Sequence, residues 1–327
     1  MKKKNVLFAI LSILGIIVFI VFLFKFGKGA SSLITQNFNL KYALIYAGLT
    51  TFAICPLVLR WQVILKAYNI KIPFISLLRM QISAYAISVI TPLARVGGEP
   101  LKIFMMKEEH QVDYKTGTAS IILDRTIELL GTVAFGVVGL ILFLFTPISY
   151  KIKLILTLAI ILASTLLFIF YYRLSKNKPF FSKISPKKFK ETMKDIDNKM
   201  SDFIINHKKE FLYSFLFYCL SGFLFLIEFK YLLLSFGVES TITEIILIVT
   251  MLGATNFIPI PAQLGSLEAG QITLFKFMRG EGDIGMALSL LMRVRYLILI
   301  SIGFLIISHF GFKEVFNLNK NPKTKSI

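Results

Sequence analysis

The amino-acid sequence predicts an all-α polytopic membrane protein, with six full spans and two broken or re-entrant helical hairpins arranged as two inverted repeats. Three observations carry that prediction. The chain is 56% hydrophobic with a mean hydropathy of +0.73. Apolar runs close to the roughly 20 residues needed to cross a bilayer recur along it. Proline and glycine interrupt two further apolar segments, at matching places in the two halves of the chain.

The first run, NVLFAILSILGIIVFIVFLF, follows three lysines. It has the basic end of a secretory signal but is too long and lacks a small-residue cleavage site, so it reads as a retained span over about 5–24. Runs over about 41–65, 117–145, 153–172, 210–236 and 284–310 supply five more spans. The segments at roughly 76–106 and 242–278 are long enough to span, yet carry VITPLARVGGEPLK and NFIPIPAQLGSLEAG in their middles. They read as hairpins that enter and leave on one side, because proline at such positions removes helix hydrogen bonds.

Charge orients this layout. With a cytoplasmic N-terminus, the inside stretches hold 25 Lys and Arg against 7 outside, which places both termini in the cytoplasm of a multi-pass cell-membrane protein. The net charge of +19 therefore reports topology rather than nucleic-acid binding. A basic insertion over about 173–209 starts a helix at Ser185-Pro186 and puts Phe189, Met193, Ile196, Met200 and Phe203 on one face, with lysines on the others. It reads either as an amphipathic helix on the anionic inner membrane surface or as a linker packed on the bundle.

The whole chain, 1–327, reads as one transmembrane domain whose repeats cover about 41–145 and 210–310. The interval from Pro92 to Pro261 equals that from Glu99 to Glu268, and the interval from Arg125 to Arg293 is shorter by a single position. Inverted repeats with discontinuous helices mark transporters, whose substrate site lies at the repeat interface. Half-helices restarting near Gly98 and Ser266 would offer free N–H groups to an anion such as a lipid phosphate, unless Glu99 and Glu268 satisfy them instead. Pro92, Gly97, Gly98, Pro259, Pro261 and Gly265 are the expected hinge and helix-break residues.

Charges inside the spans are costly unless they face the bundle interior. Asp124, Arg125 and Glu128 lie about two turns into the third span, and Arg293 and Arg295 at similar depth in the sixth. Glu99 is expected to meet Arg125, and Glu268 to meet Arg293. Arg95, inside the first break, suits a phosphate. The substrate-binding set is thus Arg95, Glu99, Asp124, Arg125, Glu128, Glu268 and Arg293, with an internal ion network as the alternative for the group around Asp124. Proton coupling through Asp124 or Glu128 is conceivable on the same grounds.

No catalytic residue, cofactor or metal is implied. GEGDIG follows no strand and carries two acids, and no Walker A sequence occurs. His110 lies near Glu108, Glu109 and Asp113 in what reads as a solvated loop, and Cys55 and Cys219 sit inside apolar runs as small core residues.

The stretches TPLARVGGEPLKIF, LDRTIELLG, IPIPAQLGSLEAG and ALSLLMRVR resemble the flippase-like membrane family that contains the transmembrane region of lysylphosphatidylglycerol synthases, the multiple peptide resistance factor. That resemblance implies movement of an anionic or lysyl-modified phospholipid between leaflets, and a link to resistance against cationic peptides. It carries over Thr91, Pro92, Gly97, Gly98, Glu99, Asp124 and Arg125, and Pro259, Pro261, Gly265, Glu268 and Arg293. Full synthases add a soluble transferase that moves lysine from lysyl-tRNA to phosphatidylglycerol. Only the short stretch 311–327 follows the sixth span here, so the expectation is a membrane region without that domain. The remaining alternatives are a lipid-modifying transferase, a membrane partner of a separate lipid-modifying enzyme, and an inert scaffold. The family's Pro-Gly pair after the second break is Pro261-Ala262 here, which predicts a stiffer turn.

Overall fold

The computed structural model describes residues 2–91, 96–145, 150–256, 258 and 260–320. Within them the chain is helical, with no strand. The helices are α1 (Lys2–Asn37), α2 (Leu40–Ala67), α3 (Phe74–Ile90), α4 (Glu99–His110), α5 (Tyr114–Leu144) and α6 (Tyr150–Ser175). They continue with α7 (Phe181–Ile184), α8 (Lys190–Asn206), α9 (Lys208–Leu234), α10 (Ile242–Asn256), α11 (Ser266–Arg279) and α12 (Gly282–Lys320). Six of these, α1, α2, α5, α6, α9 and α12, are long and apolar enough to cross a membrane. The shorter apolar helices α3 and α10 begin the two broken segments.

Each broken segment folds as a hairpin whose two legs are tied along their length. In the first, Arg79 on α3 meets Glu109 on α4 at 3.1 Å, Lys102 Nζ donates to Gln81 at 3.2 Å, and the Gly98 N–H donates to Ser88 Oγ at 2.9 Å. In the second, Glu244 on α10 meets Arg279 on α11 at 2.8 Å, and Gln271 donates to the Ile248 carbonyl at 3.4 Å. Legs tied in this way return the chain to the side it came from.

The second set of four helices repeats the first in order. Helices α2, α3, α4 and α5 begin at Leu40, Phe74, Glu99 and Tyr114, and α9, α10, α11 and α12 at Lys208, Ile242, Ser266 and Gly282. One offset, constant to within a single position, relates the four pairs. The packing follows the same exchange: α3 lies on α12 as α10 lies on α5, and α4 lies on α5 as α11 lies on α12. The most extensive helix pair is α2 with α9. They run antiparallel, since the Asn39 N–H donates to the Ser235 carbonyl at 2.9 Å, Thr50 to Glu228 at 2.6 Å, and Ser214 to the Arg60 carbonyl at 3.3 Å.

One sequence expectation changes, and one of two open readings is favoured. The first helix does not stop near 24 but runs to Asn37, so Lys25 and Lys28 lie in a helix rather than an outer loop. Burial of Phe26 and Ala30 in the core shared with α9 to α12 outweighs the weak helix propensity of Gly27 and Gly29 between them. In the basic insertion, Ile196, Met200 and Phe203 on α8 are buried against Ile64, Leu123, Ile127, Phe170 and Leu174. The apolar face is thus committed to the bundle, as in the linker reading, while Phe189 stays outside it at 51% exposure.

Candidate functional site

The hairpin breaks depend on close backbone approach. A side chain at Gly98 would overlap the Ala84 carbonyl, and one at Gly97 would overlap the Thr91 hydroxyl. At the second break, Pro261 opens a single 3-10 turn in which Ala262 and Gln263 have φ of 52° and 53°, and Gly265 follows at φ 79°. A side chain at Gly265 would meet the Gly15 carbonyl and Val18, so α1 lies directly against this tip. Pro92, Arg95 and Pro259 lie outside the described residues.

Behind the first break is a six-member charge cluster. Helix α4 starts at Glu99, whose carboxylate pairs with both Arg125 Nε, at 2.7 Å, and Arg125 Nη2. Its other oxygen lies 2.8 Å from Lys102 Nζ one turn along. Arg125 Nη1 reaches Glu128 at 2.9 Å, and Arg60 binds Asp124 through two contacts of 2.7 and 3.0 Å and Glu128 at 3.0 Å. Lys102 is fully buried with its ammonium 4.6 Å from the centre of the Trp61 ring, a cation–π contact that offsets lost hydration. Three cations face three carboxylates, so the cluster is neutral within itself.

Behind the second break the arrangement is simpler. Arg293 binds Glu268 through contacts of 2.9, 2.8 and 3.1 Å, and also donates to the Ala262 carbonyl and, at 3.0 Å, to the Gln263 carbonyl. Glu268 accepts the Gly265 N–H at 2.9 Å, closing a capping interaction at the start of α11. The helix start expected to receive an anion is therefore served by its own glutamate, and at α4 the Gly98 N–H is taken by Ser88.

A third pair is absent from the sequence expectations. Glu228 on α9 meets Arg295 on α12 at 2.7 Å and accepts the Thr50 hydroxyl at 2.6 Å. Sequence reading finds Arg295 but misses Glu228, Arg60 and Lys102. The charge count assigns the latter two to the inside stretches 60–79 and 102–116, although both are completely buried. The apolar neighbours of Arg60 in α2 and of Glu228 in α9 are the available signal that these charges lie within helices facing the interior.

The two breaks differ in access. The side chains of Arg125 and Glu128 are 25% and 36% exposed, whereas those of Glu268 and Arg293 are 0% and 15% exposed. No group of three or more metal-ligating side chains occurs among the described residues.

Six apolar helices, two tied hairpins and charge clusters held between them define a multi-pass membrane protein with a polar interior. The chain belongs to the lysylphosphatidylglycerol synthase transmembrane-region family, whose model matches residues 8–303. It is 23% identical over 311 residues to the UPF0104 membrane protein PH1989 of Pyrococcus horikoshii, covering 87% of this chain and 91% of that one. It is 25% identical over 146 residues to a UPF0104 membrane protein of Methanothermobacter thermautotrophicus, covering 44% of this chain and 42% of that one. No solved structure matches.

Proposed function

We propose that this protein is a lipid flippase or transporter that moves an anionic or lysyl-modified phospholipid between leaflets. The observation that carries the reading is the cluster around Arg125 and Glu128, which stays partly open beside a broken hairpin while Arg60, Lys102 and Asp124 behind it are sealed. A headgroup entering there exchanges with existing ion pairs instead of paying full desolvation, and its acyl chains remain in lipid. Arg95, Arg125 and Arg293 bind the phosphate, Glu99, Asp124, Glu128 and Glu268 pair with them or with a lysyl amine, and the Pro-Gly breaks hinge.

The equal helix spacing and the antiparallel α2–α9 seam support inverted repeats, which permit alternate access from the two faces. In this arrangement both termini are cytoplasmic, and the exposed lysines around α7 and α8 face the anionic inner surface of the cell membrane. A separate lipid-modifying enzyme supplying the lysyl lipid fits as a partner.

The test is leaflet exchange of labelled phosphatidylglycerol and lysyl-phosphatidylglycerol in liposomes holding the purified protein. A folded variant carrying Arg125→Ala and Arg293→Ala runs beside it. Exchange lost in the variant supports the reading; no exchange of either lipid by the natural protein, with or without an ion gradient, overturns it.

A further inference from the structure

The Glu228–Arg295 pair is among the least satisfied of the buried pairs; Glu99 Oε2 and Arg60 Nη1 also lack a hydrogen-bond partner, but Glu99 Oε2 faces Lys102 Nζ at 2.8 Å. Asp124 takes two contacts from Arg60, and Glu268 takes three from Arg293 plus a backbone N–H. Glu228 instead uses one oxygen for both Arg295 and Thr50, while its Oε2 and the Arg295 Nε are buried with no hydrogen-bond partner. Its carboxylate is fully buried, and the guanidinium of its partner Arg295 lies 5.6 Å from the centre of the Phe225 ring. A half-satisfied ion pair in such surroundings is costly to keep charged.

Among the described residues the charged and titratable groups near the pair are few: Arg295 from α12 and Tyr46 from α2 face Glu228, and Tyr296 from α12 and Tyr85 from α3 face Arg295. On its own helix, Lys230 points outward.

The charge balance gives this pair a task. The three clusters together hold five cations, Arg60, Lys102, Arg125, Arg293 and Arg295, and five carboxylates, Glu99, Asp124, Glu128, Glu228 and Glu268. Among the described residues, an interior balanced in this way carries no net positive charge to offset an anionic headgroup. Neutralising one carboxylate creates that charge, and the least satisfied carboxylate is the one that gives way. We propose that Glu228 is a proton-binding site coupled to lipid movement, so that an anionic phospholipid crosses together with a proton. The proton adds to Glu228 from water on one side, the uncompensated Arg295 offsets the lipid charge through the low-dielectric interior, and the proton leaves on the other side. This inference rests on the transport reading for its coupling, but the proton site itself is separable from it.

The site is tested first without transport, by infrared titration of carboxyl groups in the purified protein. A protonated carboxyl signal that appears in the natural protein and is missing from Glu228→Gln is expected; a signal unchanged by that substitution overturns the site. Should Glu228→Gln fail to fold, Thr50→Val serves instead. Removing the hydroxyl that stabilises the charged form moves the titration to higher pH, and no movement overturns the assignment. The coupling is then read in liposomes with a trapped pH dye. Proton movement in step with phosphatidylglycerol, lost in Glu228→Gln, supports it. Phosphatidylglycerol exchange by the natural protein with no proton movement overturns the coupling and leaves lipid transport standing, whereas absence of any lipid exchange overturns the transport reading and leaves the infrared result to decide the proton site.

Discussion

Arg60 on α2 and Glu228 on α9 stand at the same position counted from Leu40 and Lys208, the first residues of their helices, and carry opposite charges there. Arg60 finds its partners, Asp124 and Glu128, on α5; Glu228 finds Arg295 on α12, the helix equivalent to α5. The hairpin mouths show the same reversal, with Arg79 on the first leg in one half and Glu244 on the first leg in the other. Only the pairs behind the breaks, Glu99 with Arg125 and Glu268 with Arg293, keep their polarity. Both halves need one ion pair at each place, but only the break requires the carboxylate on the returning leg.

Removing Arg60 should be severe. Arg60→Met leaves Asp124 buried without its main partner, a loss of about 3 to 5 kcal/mol. The double variant Arg60→Met with Asp124→Leu recovers much of it, read as thermal unfolding in detergent. A single variant as stable as the natural protein contradicts the buried pair.

Transport should weigh on the two halves unequally. Arg125→Gln removes a charged contact from the open cluster and lowers phosphatidylglycerol exchange by roughly tenfold to a hundredfold if its headgroup contact is worth a typical charge-assisted bond. Arg293→Gln, at the tip covered by α1, lowers exchange less. Equal losses place equal demand on both sites and contradict this ordering.

The proposed inverted arrangement makes a labelling prediction. In a background of Cys55→Ser and Cys219→Ser, Gln111→Cys beside the first hairpin mouth reacts with an impermeant reagent only from the cytoplasmic side. Glu281→Cys beside the second reacts only from the outside. Both residues are exposed, so access depends on the side alone. Labelling of both from one face refutes inversion.

Backbone contact at the first tip predicts a glycine effect. Gly98→Ala forces a methyl group into the Ala84 carbonyl and costs about 1 to 3 kcal/mol, or prevents folding. Gly253→Ala, with nothing within 4 Å, serves as the control. Thermal unfolding midpoints of the two variants decide it.

Asp195 predicts a pH effect outside the spans. Its hydrogen bond and ion pair with Lys115, at 2.5 Å, hold its carboxyl below the usual aspartate value. Because the folded form titrates lower than the unfolded one, the contribution is present above the unfolded value and is lost as pH falls through the folded one. The pair is exposed, so its contribution is small and fades with salt. The unfolding midpoints of the natural protein and Asp195→Asn should therefore differ near neutral pH at low salt and converge in acid.

The spans and the repeated helix order are legible in the sequence because both depend on local patterns. Hydropathy marks a helix that faces lipid, and Pro-x6-Glu in two places marks the breaks. Buried cations are harder to place. Arg60 is followed by Trp61 and Gln62 near the end of an apolar run, where the charge count assigns it to the inner side of the membrane. Contact with Asp124 and Glu128, far along the chain on α5, keeps it inside. Glu228 stands shortly before Lys230 and depends on α12, a helix that begins only at Gly282. The length of α1 is likewise invisible, since its last turns are held by packing rather than by their own apolarity.

Two adjacent residues without the freedom of glycine, Ala262 and Gln263, are wound left-handed, at about 1 to 2 kcal/mol for such a residue. The carbonyls of both are caught by Arg293 from another helix. The second tip is therefore a spring with a catch: bending work is stored in the backbone, and α12 contributes to its restraint through one side chain, beside the Ser266 hydroxyl that also donates to the Gln263 carbonyl. Any displacement of α12 that withdraws this catch returns the stored work at the tip, so a small slide of one helix is converted into a local snap.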